Sequence, residues 1–139
     1  YQVIQSMISI GSGGFWGQGL GEGTQTHLKF LPVQDSDFII SVTGEELGFK
    51  IIFLIILFIS FFIYWCFIYA SKIENKYIST LIIGCATIIY SHMIINLGMI
   101  AGLLPVTGLP PPFISYGGSF FLTCSIILGI INNAVNNNL

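Results

Sequence analysis

Ile51 to Ala70 is a run of twenty residues without one charged side chain, and two further uncharged runs follow, Tyr77–Leu104 and Phe113–Ile131. A helix needs about 20 mostly apolar residues to cross a bilayer, and tilt accommodates a longer run. Each run therefore predicts one spanning helix. Composition points the same way. Only 7% of the 139 residues are charged and 54% are hydrophobic, whereas an average soluble domain is about 25% charged. A soluble domain of this size could not cover its surface with so few charges. The fold class is all-α, a polytopic membrane protein with three spans and a large polar loop carrying short helices.

The rest of the chain divides around those runs. Residues 1–48 read as an extracytoplasmic loop region and 49–139 as the membrane domain, with spans near 51–70, 77–104 and 113–131. SKIENK (Ser71–Lys76) is a short charged turn, PVTGLPPP (Pro105–Pro112) cannot be helical throughout, and NNAVNNNL reads as a polar tail. Alternating spans put the early loop and the proline loop on one side, and the turn and the tail on the other. Each side holds two lysines, Lys29 and Lys50 on the early side and Lys72 and Lys76 in the short turn, while the early side holds five carboxylates. The expectation is that SKIENK is cytoplasmic.

Tyr1–Ile10 puts Val3, Ile4, Met7 and Ile8 on one helical face. That reads as the end of a spanning helix or as a short interfacial one. The chain starts at Tyr1 and shows no signal peptide, which reads as the C-terminal part of something longer. Gly11–Gly23 is glycine-rich but fits no phosphate-loop pattern. It reads as a flexible loop with interfacial Phe15 and Trp16, or as backbone N–H groups approaching a phosphate or sugar. Net charge is −2 with no basic patch, which argues against nucleic acid. Cys66, Cys85 and Cys124 lie inside apolar runs without CxxC spacing, so they read as small buried hydrophobes.

Chemistry concentrates in Phe30–Gly48, FLPVQDSDFIISVTGEELG, which holds Asp35, Asp37, Glu45 and Glu46, four of the six acidic residues. Carboxylates beside lipid are costly unless they touch water, pair or work. Asp35 or Ser36 is placed to cap a helix running towards Leu47. Local sequence alone also allows Asp37 merely to cap that helix. His92 and Asn96 share a face of the second run, where polar side chains usually bond across helices.

YQVIQSMISIGSGGFWGQGLGEGTQ, FLPVQDSDFIISVTGEELGF and NLGMIAGLLPVTGLPPPFISYGGS together resemble the RodA/FtsW (SEDS) family of polytopic membrane proteins, with GTQ and the NLGM run closer to RodA. The resemblance implies the last three of about ten helices plus the large outer loop. It implies a peptidoglycan glycosyltransferase of the bacterial cytoplasmic membrane, active on its outer side. Such an enzyme polymerises lipid II for cell-wall elongation beside a class B penicillin-binding protein. The family's His-Thr-Asp-Phe motif falls on Asp35, Ser36, Asp37 and Phe38, making Asp37 the expected general base. Substrate-binding candidates are Lys29, Gln25, Ser36, Glu45, Glu46, Pro110, Ser115 and Tyr116. The resemblance names no certain cofactor, although Glu45 and Glu46 could hold a divalent cation such as Mg2+. A lipid II flippase and a non-catalytic scaffold or decayed copy are the competing readings. Residues 1–139 alone are expected to be inactive.

Overall fold

The computed structural model describes residues 2–22, 37–115 and 117–139. Among these the fold is all helix: α1 Gln2–Gly13, α2 Ile39–Leu47, α3 Phe49–Lys72, α4 Lys76–Ile100 and α5 Gly118–Asn138. The last three are long and apolar enough to cross a membrane. In α3 only 17% of the most apolar window is buried, and Phe53, Leu54, Leu57, Phe58 and Phe61 stay exposed. A helix apolar on all sides with so few protein contacts fits lipid as its surroundings.

The ends of these helices differ from the sequence expectation. α3 extends beyond 51–70 at both ends. α4 stops at Ile100 instead of 104, because Gly102 takes φ 76°. The N–H groups of Leu103 and Leu104 then fold back onto the Gly98 carbonyl at 2.8 and 3.1 Å. This satisfies an otherwise orphaned helix-end carbonyl. α5 begins at Gly118, not at Phe113, which sits in the left-handed region at φ 64° after three prolines. Its far end runs on through the asparagine tail. There Asn137 donates to Asn133 Oδ1 at 2.6 Å and Asn138 to the Ala134 carbonyl at 2.8 Å.

Two apolar clusters stack along the bundle. One joins α2, α3 and α4 through Phe38, Ile40, Ile52, Ile59, Met93, Met99 and Ile100. The other joins α3, α4 and α5 at the opposite end, around Cys66, Ala70, Ile82, Cys85, Ile131 and Ala134. All three cysteines are free and buried, as their apolar settings suggest. The turn between α3 and α4 is held by Asn75, which caps Tyr77 N at 3.1 Å, and by Ser79 Oγ, which donates to the Ala70 carbonyl at 2.8 Å.

α1 packs with the face opposite to its hydrophobic stripe. Ser6, Ser9 and Gly13, spaced along one side, are buried, while Ile4, Met7 and Ile8 are exposed. Ser6 Oγ donates to its own helix at Val3 O and across to Ile100 O, at 2.7 and 2.9 Å. In lipid an apolar stripe gains nothing from hiding, and small residues let backbones approach.

The glycine-rich loop is the counterpart of that close packing. The N–H groups of Gln18 and Gly19 donate to the Glu45 and Glu46 carbonyls at 2.9 and 3.0 Å, and Phe49 N–H donates to Gly14 O at 2.8 Å. The first two bonds cap the carbonyl end of α2 and the third satisfies the first N–H of α3, groups that helix ends leave open. Backbone meets backbone so closely that a Cβ on Gly13 would strike Gly44 and one on Gly17 would strike Glu46. The loop is thus a brace rather than a flexible connection. The N–H groups of Gln18 and Gly19 are committed to α2 instead of being offered to a phosphate.

Candidate active site at the α2 entrance

Phe38 forms the N-cap of α2, and the helix takes no side-chain cap there. Asp37 precedes it, half-buried, with its backbone fixed from two sides. Phe38 is 1% exposed and sits in the cluster with Met93, Met99 and Ile100. Asn96 Nδ2, from α4, donates to the Asp37 carbonyl at 2.8 Å. The same nitrogen donates to the Leu109 carbonyl of the proline loop at 2.9 Å. That loop brings Gly108 against the carboxylate, where a Cβ on Gly108 would lie 3.6 Å from Asp37 Oδ2. Buried Pro111 and Pro112 stiffen the loop just beyond. Asp35 and Ser36, the expected capping residues of α2, lie outside the described residues.

The other candidates scatter. Lys29, Gln25, Ser36 and Tyr116 lie outside the described residues. Pro110 and Ser115 are half-buried on the proline loop and its continuation. Glu45 is fully buried in α2. Glu46 points to the glycine brace, its Oε1 accepting from Gly21 N at 3.2 Å. The two glutamates thus have separate surroundings. Among the described residues no group of three or more His, Cys, Asp or Glu side chains is placed to hold a metal ion.

Two side-chain contacts and a cavity escaped sequence reasoning. Lys50 Nζ lies over the ring of exposed Trp16, 4.6 Å from its centroid, as a cation–π contact at the mouth of the bundle. His92, the partner of Asn96 on the α4 face, stacks on Phe120 at 4.9 Å between centroids. Gly117 and Gly118, which the sequence suggests as a point of close helix approach, would instead each meet nothing within 4 Å on gaining a Cβ. Below the proline loop an apolar cavity of about 570 Å³ opens between α3 and α5 over Ile89 of α4, with Pro112 and Phe113 at its rim.

The sequence profile described as "Cell cycle protein", covering FtsW, RodA and SpoVE, matches residues 1–138. The chain belongs to this family. Peptidoglycan glycosyltransferase MrdB of Escherichia coli (strain K12) is 39% identical over 132 residues, 94% of this chain and 35% of that protein. Peptidoglycan glycosyltransferase RodA of Treponema pallidum is 40% identical, covering 94% of this chain and 30% of its own length. A probable peptidoglycan glycosyltransferase FtsW of Bacillus subtilis reaches 42%, covering 95% of this chain and 32% of its own. The chain therefore spans about a third of the length of the relatives it matches. The fold also recurs in a solved chain from a peptidoglycan synthase complex that coordinates polymerization and crosslinking. The TM-score is 0.64 at 24% identity, over 95% of this chain and 34% of that one. With three spanning helices in such a family, this is a multi-pass membrane protein.

Proposed function

We propose that residues 1–139 form part of a peptidoglycan glycosyltransferase that polymerises lipid II for cell-wall elongation, with Asp37 as general base. The observation that carries this is the fixed setting of Asp37. Its backbone is tied to α4 and the proline loop, and its carboxylate lies at the bundle end beside Gly108. The names of the relatives, peptidoglycan glycosyltransferases from three different bacteria, support the reaction class.

The chemistry suits one carboxylate. A sugar hydroxyl of one chain attacks the anomeric carbon of another, and its proton passes to Asp37 as the new C–O bond forms. The bond from that carbon to the prenyl pyrophosphate breaks, and the pyrophosphate leaves with the electron pair. A pyrophosphate needs no second carboxyl to protonate it, unlike a glycosidase leaving group, but it needs positive charge nearby. Arginine is absent and only four lysines are present. Most of that charge is therefore assigned to parts of the protein beyond residues 1–139. The apolar cavity under Pro112 and Phe113 suits a prenyl chain. The enzyme is placed in the bacterial cytoplasmic membrane, its Asp37 end outside, beside a class B penicillin-binding protein that crosslinks the product.

Asp37→Asn in the intact protein keeps size and most hydrogen bonding while removing the base. General-base catalysis is worth about 10²–10⁴-fold, so polymerisation of lipid II should fall at least about a hundredfold. Membrane accumulation and transpeptidase binding should stay near normal. Asp35→Asn, at the motif's His position, should cost far less. Wild-type polymerisation by Asp37→Asn would sink the assignment.

A further inference from the structure

We propose that Asn96 is the positioning residue for Asp37, a single side chain that sets the carboxylate against the proline loop. This deepens the general-base reading above and rests on it. Asn96 is 0% exposed. Its amide nitrogen carries two protons and meets two carbonyls, those of Asp37 at 2.8 Å and Leu109 at 2.9 Å. The two acceptors belong to segments far apart in sequence, and neither segment is helical at that point. Irregular backbone at the edge of a membrane bundle needs such a partner, because lipid offers none. Gly108, next to Leu109, is the residue against Asp37 Oδ2. The bridge thus fixes the Asp37 backbone and the loop beside its carboxylate with one group. The other end of the amide, Oδ1, is buried without a partner among the described residues. The structure tolerates that orphan in return for the two bonds.

A misplaced base loses rate before it loses substrate. Displacing a catalytic group by about 1 Å can cost roughly a hundredfold, so Asn96→Leu, close in volume and unable to donate, should lower kcat about tenfold to a hundredfold. KM for lipid II should stay within about twofold. The test uses the intact protein with lipid II as substrate and compares Asn96→Leu, Asp37→Asn and the double variant. Hydrogen exchange across residues 101–112 provides a readout besides activity.

If Asn96 works through Asp37, the double variant is no slower than Asp37→Asn alone, and Asn96→Leu speeds exchange in the proline loop. Should Asn96→Leu fail to accumulate in membranes, Asn96→Ser, which opens space instead of filling it, is judged by the same criteria. A kcat within twofold of wild type for Asn96→Leu overturns the proposal while leaving the base intact. A loss as large in the Asp37→Asn background as in wild type does the same, as does a rise in KM with unchanged kcat. A fully active Asp37→Asn removes the base, and the positioning role with it.

Discussion

Three glycines of the α1 end and its loop differ in backbone conformation and in surroundings, which makes them a graded test of the brace. Gly11 is helical, and a Cβ there would meet nothing within 4 Å. Gly11→Ala should stabilise by about 0.5–1 kcal/mol through lost unfolded-state freedom. Gly14 is equally open but holds φ 56°, so alanine should cost about 1–2 kcal/mol for the left-handed backbone. Gly17 combines φ 84° with a Cβ position 2.6 Å from the Leu47 carbonyl carbon. Overpacking adds about 1–3 kcal/mol to the strain, and Gly17→Ala should be the most damaging of the three. Thermal unfolding of the detergent-solubilised protein would check the order, and equal melting of all three variants would dismiss the brace. The sequence shows the glycines but not their purpose, because backbone-on-backbone contact leaves no side-chain signature. The motif singles out Asp37 as the candidate base. The Asn96 amide was legible as a group bonding across elements, while its two acceptors are main-chain carbonyls that no residue identity could reveal.

At the scale of elements, composition located the three long helices, and periodicity placed the apolar stripe of α1 without saying which face packs. Ile4, Met7 and Ile8 of that stripe are exposed, and the buried side is Ser6, Ser9 and Gly13. Small residues let helix backbones approach closely. Ser9→Leu should therefore disrupt α1, costing about 1–3 kcal/mol for added bulk in a packed site. Ile8→Leu, on the exposed face, should stay within about 0.5 kcal/mol of wild type. Comparing the two melts decides which face packs, and a tolerated Ser9→Leu would show that the face of Ser6, Ser9 and Gly13 does not. Helix ends were the least legible part. The late start of α5 depends on a left-handed Phe113, a non-glycine residue in a region such residues rarely enter. Its extension through Asn138 depends on side chains bonding one turn back along the helix.

At the scale of the whole molecule, the contacts sort the loops into two ends. The glycine brace, Asp37 and the proline loop meet at one, joined through Phe49 N to Gly14 O, Asn96 and Ser6. The α3–α4 turn and the end of α5 meet at the other, where Ile73 packs with Ile131 and Ala134. α3 has 24 residues, about 36 Å of helix at 1.5 Å each, enough to separate the ends across a hydrocarbon core of about 30 Å. The proposed function puts the Asp37 end outside and the turn with Lys72 and Lys76 in the cytoplasm, where lysines of short loops stay. Lys50 lies at the Asp37 end, so lysine counts alone do not set this orientation. After Cys66, Cys85 and Cys124 are replaced, a membrane-impermeant thiol reagent applied outside intact cells should label Leu20→Cys, since Leu20 is 76% exposed. Glu74→Cys, in the exposed turn, should react only once the membrane is opened. Labelling of both positions from one side would break the three-span arrangement. Labelling of Glu74→Cys alone from outside would keep the spans but turn Asp37 towards the cytoplasm, where no extracytoplasmic polymerisation could reach it.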